Sequence, residues 1–428
     1  MLIDQLFEKA LAYRKTKLWN VLCDSHLFAV KHTDGTIGYC CVMGMIGELL
    51  AIAVYPGQKG LDSYRMLHDM DGKSLFDFHE RMHGQYCAMV SFQNKAELNS
   101  WDLELVERCR KQLGVQFQGK LSYPQFEIFR PGYERWMLED EADQRHLLEA
   151  LDAAIEVAER LKTDRVSPEA IGFTDGAPFD REIPMLTKVA TGYLWTRHPL
   201  PPKADPDYPT AKIEDDLTLK RLKEIRRKGQ FAAKVFMHID PVAEGEEDEN
   251  GNVPNPVSAP RYPYSLMFVD VSKGLALSVY LANNQDEYGE EMIKQVVECF
   301  TEHGVPSKLL VEDARTKALL KPVCEQLSIK LITESAIPAL DEILGDMLEA
   351  FTDSDEDWLD DEYDPDDPED ELSDEELDKA LELFADRKFV RSLPNEVLYK
   401  FASEVDPDEL PDDVVDAVWK ELRRRRMV

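Results

Sequence analysis

One segment near the carboxyl end of the chain cannot build a hydrophobic core by itself. Residues 353–378 contain seventeen Asp and Glu and no Lys or Arg, half of the net charge of −34. Such a segment buries too little apolar surface to offset the conformational entropy lost on folding. We therefore predict an acidic disordered linker over residues 351–372. The remaining residues, 373–428, regain helical periodicity, and we predict a small all-α module there.

A second boundary is marked by proline. Residues 198–209 contain five prolines in twelve positions, which is typical of a stiff linker. We place this linker at residues 201–216. The preceding residues, 1–200, combine helical periodicity with stretches of period two around glycine turns, which indicates an α+β domain.

The segment 217–350 predicts an α/β domain. After a short helix that we expect to end at Gly229, its pattern reads strand, strand, strand, helix, strand, helix, strand. Strands joined through a helix favour parallel pairing with a right-handed crossover. The same order fits a ribonuclease H-like mixed sheet.

Composition excludes several classes of function. The large negative charge argues against direct nucleic-acid binding through phosphates and against binding to anionic membranes. No apolar run is long enough to span a bilayer, and the opening residues read as an amphipathic helix rather than a signal peptide. The seven cysteines form no CxxC pair, so we expect reduced thiols in a cytoplasmic protein.

The sequence HERMH at residues 79–83 matches the zinc-hydrolase pattern HExxH. On a helix, His79 and His83 would be zinc ligands and Glu80 the general base. The charged Arg81 between the histidines and Gly84 directly after them disfavour this hypothesis. The alternative is a pair of partly exposed histidines on a short helix.

Acidic residues near predicted strand ends suggest a second chemistry. In a ribonuclease H-like fold, Asp240, Asp313 and Glu291 would hold divalent metal ions that promote phosphodiester cleavage. Aspartates at strand ends are also common turn and cap residues, which is the structural alternative.

The stretch PQFEIFRPGYERW, residues 124–136, is rich in aromatic side chains. Phe129, Tyr133 and Trp136 are candidates for a surface that stacks on a base or a peptide. The alternative is a loop that seals a small core.

Several longer stretches resemble known but uncharacterised proteins. VMGMIGELLAIAVYPGQKGL and FQGKLSYPQFEIFRPGYERW resemble an N-terminal domain of bacterial proteins of unknown function, and GVPSKLLVEDARTKALLKPVCEQLSIKLI resembles a domain that accompanies it. The resemblance covers about residues 20–350. It implies a bacterial two-domain protein and transfers no functional residues.

These observations favour a non-catalytic protein-binding or regulatory protein with a basic protein partner and no cofactor. One alternative is a metal-dependent enzyme acting on nucleic acid, with Mg²⁺ as cofactor. Another is a zinc hydrolase. A fourth hypothesis is that the acidic segment imitates nucleic acid for a basic DNA- or RNA-binding protein.

Overall fold

The computed structural model describes residues 2–47, 49–68, 75–117, 119–174, 181–245, 253, 256–282, 288–352, 390 and 412–424. The chain divides into two compact units, Met1–Phe351 and Thr352–Val428. The predicted acidic linker from residue 353 onward lies outside the described residues. So does the predicted helical module, except for residue 390 and a helix near its end.

The first half of the larger unit is built on an eight-stranded sheet with the order β6-β5-β4-β3-β2-β1-β7-β8. Only the β1–β7 pair is parallel; the other neighbouring pairs are antiparallel. The elements are α1 Leu2–Thr16, β1 Phe28–Lys31, β2 Ile37–Met43, β3 Leu50–Pro56, α2 Gly57–Leu67, α3 Leu75–His83, β4 Cys87–Gln93, α4 Ser100–Leu113, β5 Tyr123–Phe129, β6 Trp136–Met137, α5 Glu141–Asp164, β7 Glu182–Val189 and β8 Gly192–Pro199.

Alternation along the strands divides their side chains between two cores. In β3, Ile52 and Val54 face the core that is covered by α1, α4 and α5. Their neighbours Ala53 and Tyr55 face the opposite core, where Leu61 and Tyr64 of α2 pack. Both faces of the central strands are therefore apolar and buried.

The second half of the larger unit contains a five-stranded sheet with the order β11-β10-β9-β12-β13. The pairs β9–β12 and β12–β13 are parallel, and the pairs β9–β10 and β10–β11 are antiparallel. The elements are α6 Asp216–Glu224, β9 Arg227–Met237, β10 Tyr264–Asp270, β11 Leu275–Leu281, α7 Tyr288–His303, β12 Val305–Val311, α8 Ala314–Leu327, β13 Lys330–Thr333 and α9 Pro338–Thr352.

The mixture of helices and mixed sheets confirms the predicted fold class. If the strands of the second sheet are numbered 1 to 5 along the chain, their order across the sheet is 3-2-1-4-5. This order is compatible with a ribonuclease H-like arrangement. One local prediction was wrong. Helix α6 ends at Glu224, and Gly229 lies inside β9 because strand pairing with β12 already begins at Arg227.

The two faces of the five-stranded sheet are covered by different parts of the chain. Phe231, Ala233 and Val235 of β9 face a core formed with α6, α7 and α8. Ala232 and Phe236 face the other side, where α9 packs together with Phe76 of α3. Helix α3 therefore comes from the first half of the chain but packs on the sheet of the second half.

The smaller unit contributes one described helix, α10, Asp412–Arg424. It begins with two aspartates and has Arg423 and Arg424 in its last turn, an arrangement that suits the helix dipole. Val414, Val418 and Leu422 recur at helical spacing and are buried. This helix lies within the segment for which the sequence predicts helices. Across the described ranges, no helix combines the length and apolar character that crossing a membrane requires.

Candidate functional site

The carboxyl ends of β9 and β12 meet helix α3 at a small cavity of about 100 Å³, here called the strand-end cleft. Ends of parallel strands in open sheets are common positions for ligand sites. The charged residues that line the cleft are Asp77 and Glu80 of α3, Lys234 of β9, and Asp313 and Arg315 at the start of α8. Two of them, Glu80 and Asp313, are candidates from the sequence.

Lys234 occupies the face of β9 that meets α3. Leu310 pairs with Ala232, so Glu312 lies beside Lys234 two positions further along the parallel strands. The Lys234 ammonium is 3.9 Å from Glu312 Oε2 and 3.9 Å from Asp77 Oδ1, and its side chain is 9% exposed. Burial raises the pKa of Glu312, and Asp341 adds to this, while Lys234 and the backbone N–H of Ile337 oppose it. A lysine cation therefore sits between two carboxylates.

Arg315 supplies the second cation of the cleft. Its guanidinium donates to Glu80 in an ion pair whose side chains are 15% and 26% exposed, respectively. The same guanidinium lies over the rings of Tyr264, at 4.5 Å, and Tyr208, at 5.3 Å. Contacts of this kind between a cation and aromatic faces strengthen when water is excluded. In this structure Glu80 anchors α3 to α8.

Asp313 has a local structural role as the N-cap of α8. Its carboxylate accepts hydrogen bonds from the Thr316 backbone N–H and hydroxyl, each at 2.7 Å. The Thr316 hydroxyl in turn accepts from the backbone N–H of Val235 at 2.8 Å. The cap therefore also ties α8 to β9, in line with the structural alternative stated for aspartates at strand ends.

The other two candidate metal ligands lie in different surroundings. Asp240 follows β9, which ends at Met237, and its side chain is 60% exposed, 3.8 Å from His238 Nδ1. Glu291 is on α7 and accepts a hydrogen bond from the Tyr280 hydroxyl at 3.2 Å. Within the described residues, no group of three or more His, Cys, Asp or Glu is arranged to hold a metal ion.

His79 and His83 lie one turn apart on α3, which ends at His83 as the following glycine predicts. Their ring centroids are 4.4 Å apart, and both rings contact Tyr262, at 4.7 and 4.1 Å. Burial lowers the pKa of His83 to about 4, and the neighbouring His79 contributes to this. At neutral pH the His83 ring is therefore uncharged and packs against an aromatic surface.

The aromatic segment is divided among three environments. Phe129 ends β5 and packs against the core beneath α2. Tyr133 forms an isolated β-bridge with Arg261, so it joins the two halves of the larger unit. Trp136, half-buried in β6, lines a second cavity of about 300 Å³ together with Asp102 and Glu127. The structure brings no two of these three aromatic candidates together in that cavity.

Sequence reasoning missed Lys234, Arg315, Asp102 and Glu127. A signal was present for two of them. Lys234 interrupts the apolar run FAAKVFM, and Glu127 interrupts PQFEIF, in strands where the neighbouring residues are buried. A single charge inside an apolar strand requires a buried partner, and that requirement singles out both positions.

Comparison with known proteins places two domains on the chain. Residues 4–175 match a family described as a domain of unknown function (DUF7309), and residues 218–348 match another, described as a domain of unknown function (DUF6930). The chain is thus a protein of two domains of unknown function, which confirms the resemblance found in the sequence. Neither the curated proteins nor the solved structures contain a match to it.

Proposed function

We propose that this protein is a non-catalytic binding protein that binds a basic protein partner. The observation that carries the proposal is the position of Lys234 between Asp77 and Glu312 in the strand-end cleft. A two-metal hydrolase needs carboxylates that converge on metal ions at such a place. Here the ammonium of Lys234 lies between two of the carboxylates, and the guanidinium of Arg315 pairs with Glu80.

The choice of a basic partner follows from charge. The chain has 84 acidic and 50 Lys and Arg residues, and half of the excess lies in residues 353–378. A net negative charge of this size favours encounter with positively charged partners and repels nucleic acid. Binding that depends on this charge would be weakened by salt, which screens electrostatic attraction.

The experiment compares a lysine- and arginine-rich peptide with a neutral peptide of equal length, using the full chain. We expect selective binding of the basic peptide that weakens as salt is added. A full-length variant with the seventeen acids of residues 353–378 changed to Asn and Gln should bind at least about tenfold more weakly. Affinity that is indifferent to both salt and neutralisation would refute the proposal.

The strand order of the five-stranded sheet favours one second candidate, a metal-dependent enzyme on nucleic acid, for which Asp313 at the strand-end cleft is the residue to test. It predicts cleavage of nucleic acid with Mg²⁺ or Mn²⁺ that disappears in Asp313→Asn. The amide oxygen of asparagine retains capping ability, so this variant separates catalysis from folding. Such metal-dependent cleavage would replace the binding proposal.

A further inference from the structure

The cavity lined by Trp136 lies where β5, β6 and the start of α4 of the first domain meet, and Pro256 of the second half of the chain also lines it. Its volume is about 300 Å³, enough for the end of one long side chain or a small molecule. Trp101, Asp102, Gln125, Glu127, Arg135 and Trp136 are the lining residues that matter here. They combine two carboxylates with two indole rings.

Glu127 is the unusual member of this set. It lies in β5, is 5% exposed, and pairs across the sheet with Met89 and Met137. Its Oε2 atom is buried and has no hydrogen-bond partner among the residues that the structure describes. Burying a carboxylate oxygen without a donor is costly, so a donor that enters the cavity would be bound favourably.

Arg135 satisfies Glu127 only in part. Its Nε is 3.4 Å from Glu127 Oε1, beyond the ~2.8 Å of a charge-assisted hydrogen bond, and its side chain is 65% exposed. Only the arginine end of this ion pair is exposed, since the Glu127 side chain is 7% exposed. The arginine can therefore move aside at small cost while Glu127 receives another donor.

Asp102 places a second carboxylate in the same cavity. It is 7% exposed and accepts a hydrogen bond from Gln125 Nε2 at 2.6 Å. Burial raises the pKa of Glu127, Arg135 opposes this, and Asp102 adds to the rise. Two buried acids with one exposed arginine leave the cavity short of positive charge.

The two tryptophans make the cavity aromatic as well as acidic. Trp101 lies on the first turn of α4 and is 56% exposed, although large apolar side chains are usually covered. Indole faces attract cations, and the attraction is largest where water is excluded. A ligand with a positive charge, N–H donors and an alkyl stem would use the carboxylates, the free oxygen and the indoles together.

We propose that this cavity binds the ammonium or guanidinium group of a lysine or arginine side chain presented by a protein partner. The inference deepens the proposed function and rests on it for the source of the group. The binding chemistry itself depends only on Glu127, Asp102 and the two indoles. Binding forms no covalent bond; Glu127 Oε2 gains the donor that it lacks.

The experiment measures calorimetric binding to the full chain of N-acetyl-arginine and N-acetyl-lysine methylamides, with the citrulline and norleucine analogues as neutral controls. We expect the cationic probes to bind and the neutral ones not to bind. Glu127→Gln should weaken binding at least about tenfold without lowering the melting temperature, because it removes an incompletely paired buried charge. Glu104→Gln, which changes an exposed acid of α4, is the matched control and should leave binding unchanged.

A second variant guards against misfolding as an explanation. Trp101→Ala removes an exposed ring, so the fold should tolerate it while cation affinity falls. Failure of both cationic probes to bind, or binding that Glu127→Gln does not weaken, would overturn the inference. If basic peptides bind equally well to the Glu127→Gln variant, the proposed function is supported but the cavity is not where they bind. If the small cationic probes bind and basic peptides do not, the cavity binds cations, but the protein partner and the proposed function are rejected.

Discussion

The guanidinium of Arg315 donates to the carboxylate of Glu80, although 235 positions separate the two residues in the sequence. The pair joins helix α3 of the first domain to helix α8 of the second. Next to it, the ring of Phe76 meets that of Phe236 at a centroid distance of 4.8 Å. This ion pair, the Asp77–Lys234 pair and one aromatic contact thus hold α3 against the second domain.

Breaking this ion pair should destabilise the larger unit. Arg315→Met leaves the partly buried Glu80 carboxylate without its cation, and we expect a loss of about 1–3 kcal/mol in the free energy of unfolding. Urea denaturation monitored by tryptophan fluorescence measures it. Arg110→Met is the control, because the Arg110–Glu107 pair is 44% and 48% exposed and should contribute little to stability. Equal losses of unfolding free energy in both variants would show that the Glu80–Arg315 pair stabilises the protein no more than an exposed ion pair does.

Lys234 should determine whether the strand-end cleft can hold a divalent cation. Lys234→Asp replaces the ammonium by a third carboxylate near Asp77 and Glu312, and hard cations prefer such oxygen clusters. We expect the variant to bind Mg²⁺ or Ca²⁺ at this cleft in calorimetry, with Lys234→Met as the control that removes charge without adding a ligand. If Lys234→Asp gains no metal affinity over Lys234→Met, the cleft geometry does not suit a cation.

His83 should make stability depend on pH. Its pKa is lowered to about 4 in the folded protein, against 6.5 for an ordinary histidine, chiefly through burial. As pH falls, His83 is protonated in the unfolded chain before it is protonated in the folded protein. The stability contributed by the neutral, buried ring is therefore fully present above pH 6.5 and is lost towards pH 4. We expect the free energy of unfolding to fall by about 1–3 kcal/mol over this range, a value already reduced for the remaining solvent exposure of the ring.

The measurement for His83 is the unfolding free energy between neutral and mildly acidic pH. His83→Phe keeps a ring against Tyr262 but cannot titrate, so its stability should decline less steeply with acid. An unchanged slope in this variant would assign the pH dependence to other groups.

Two glycines in helices should respond oppositely to alanine. A Cβ on Gly60 of α2 would lie 2.5 Å from the backbone carbonyl carbon of Tyr55, which cannot yield as a flexible side chain would. Gly60→Ala should therefore cost about 1–3 kcal/mol through overpacking. Gly345 of α9 has open space at the same position, so Gly345→Ala should stabilise by up to about 1 kcal/mol through helix propensity. Thermal melts of both variants test this contrast. Melting temperatures that shift in the same direction by similar amounts would contradict it.

Local patterns in the sequence were sufficient to predict most elements of the two sheets. Alternation around glycine turns indicated the α+β character of residues 1–200, and the predicted order of residues 217–350 matches β9, β10, β11, α7, β12, α8 and β13, because these signals depend only on which face is buried. Gly229 shows the limit. A glycine after a basic run resembles a helix cap, but pairing between β9 and β12 determines its conformation, and that pairing joins residues far apart in the chain.

The candidate site was less predictable, for the same reason. Glu80 and Asp313 were singled out for catalysis from nearby residues, whereas their contacts are with Arg315 and Thr316. The Thr316 contact is local and could have been anticipated from the cap preference of aspartate. The contact between Glu80 and Arg315 could not have been anticipated, since nothing in the sequence near HERMH indicates that this helix packs against the second domain. The lone charges Lys234 and Glu127 carried more information than the motif did.

The location of α3 affects how this protein can be divided or recombined. The sheet of the second domain has Phe236 and Met267 on the face that α3 helps to cover, and α3 precedes that sheet by more than a hundred residues of sequence. A gene segment encoding only the second domain would leave that apolar face partly uncovered. The second domain is therefore not a portable module, and its transfer to another protein would require the first domain or a substitute for one helix.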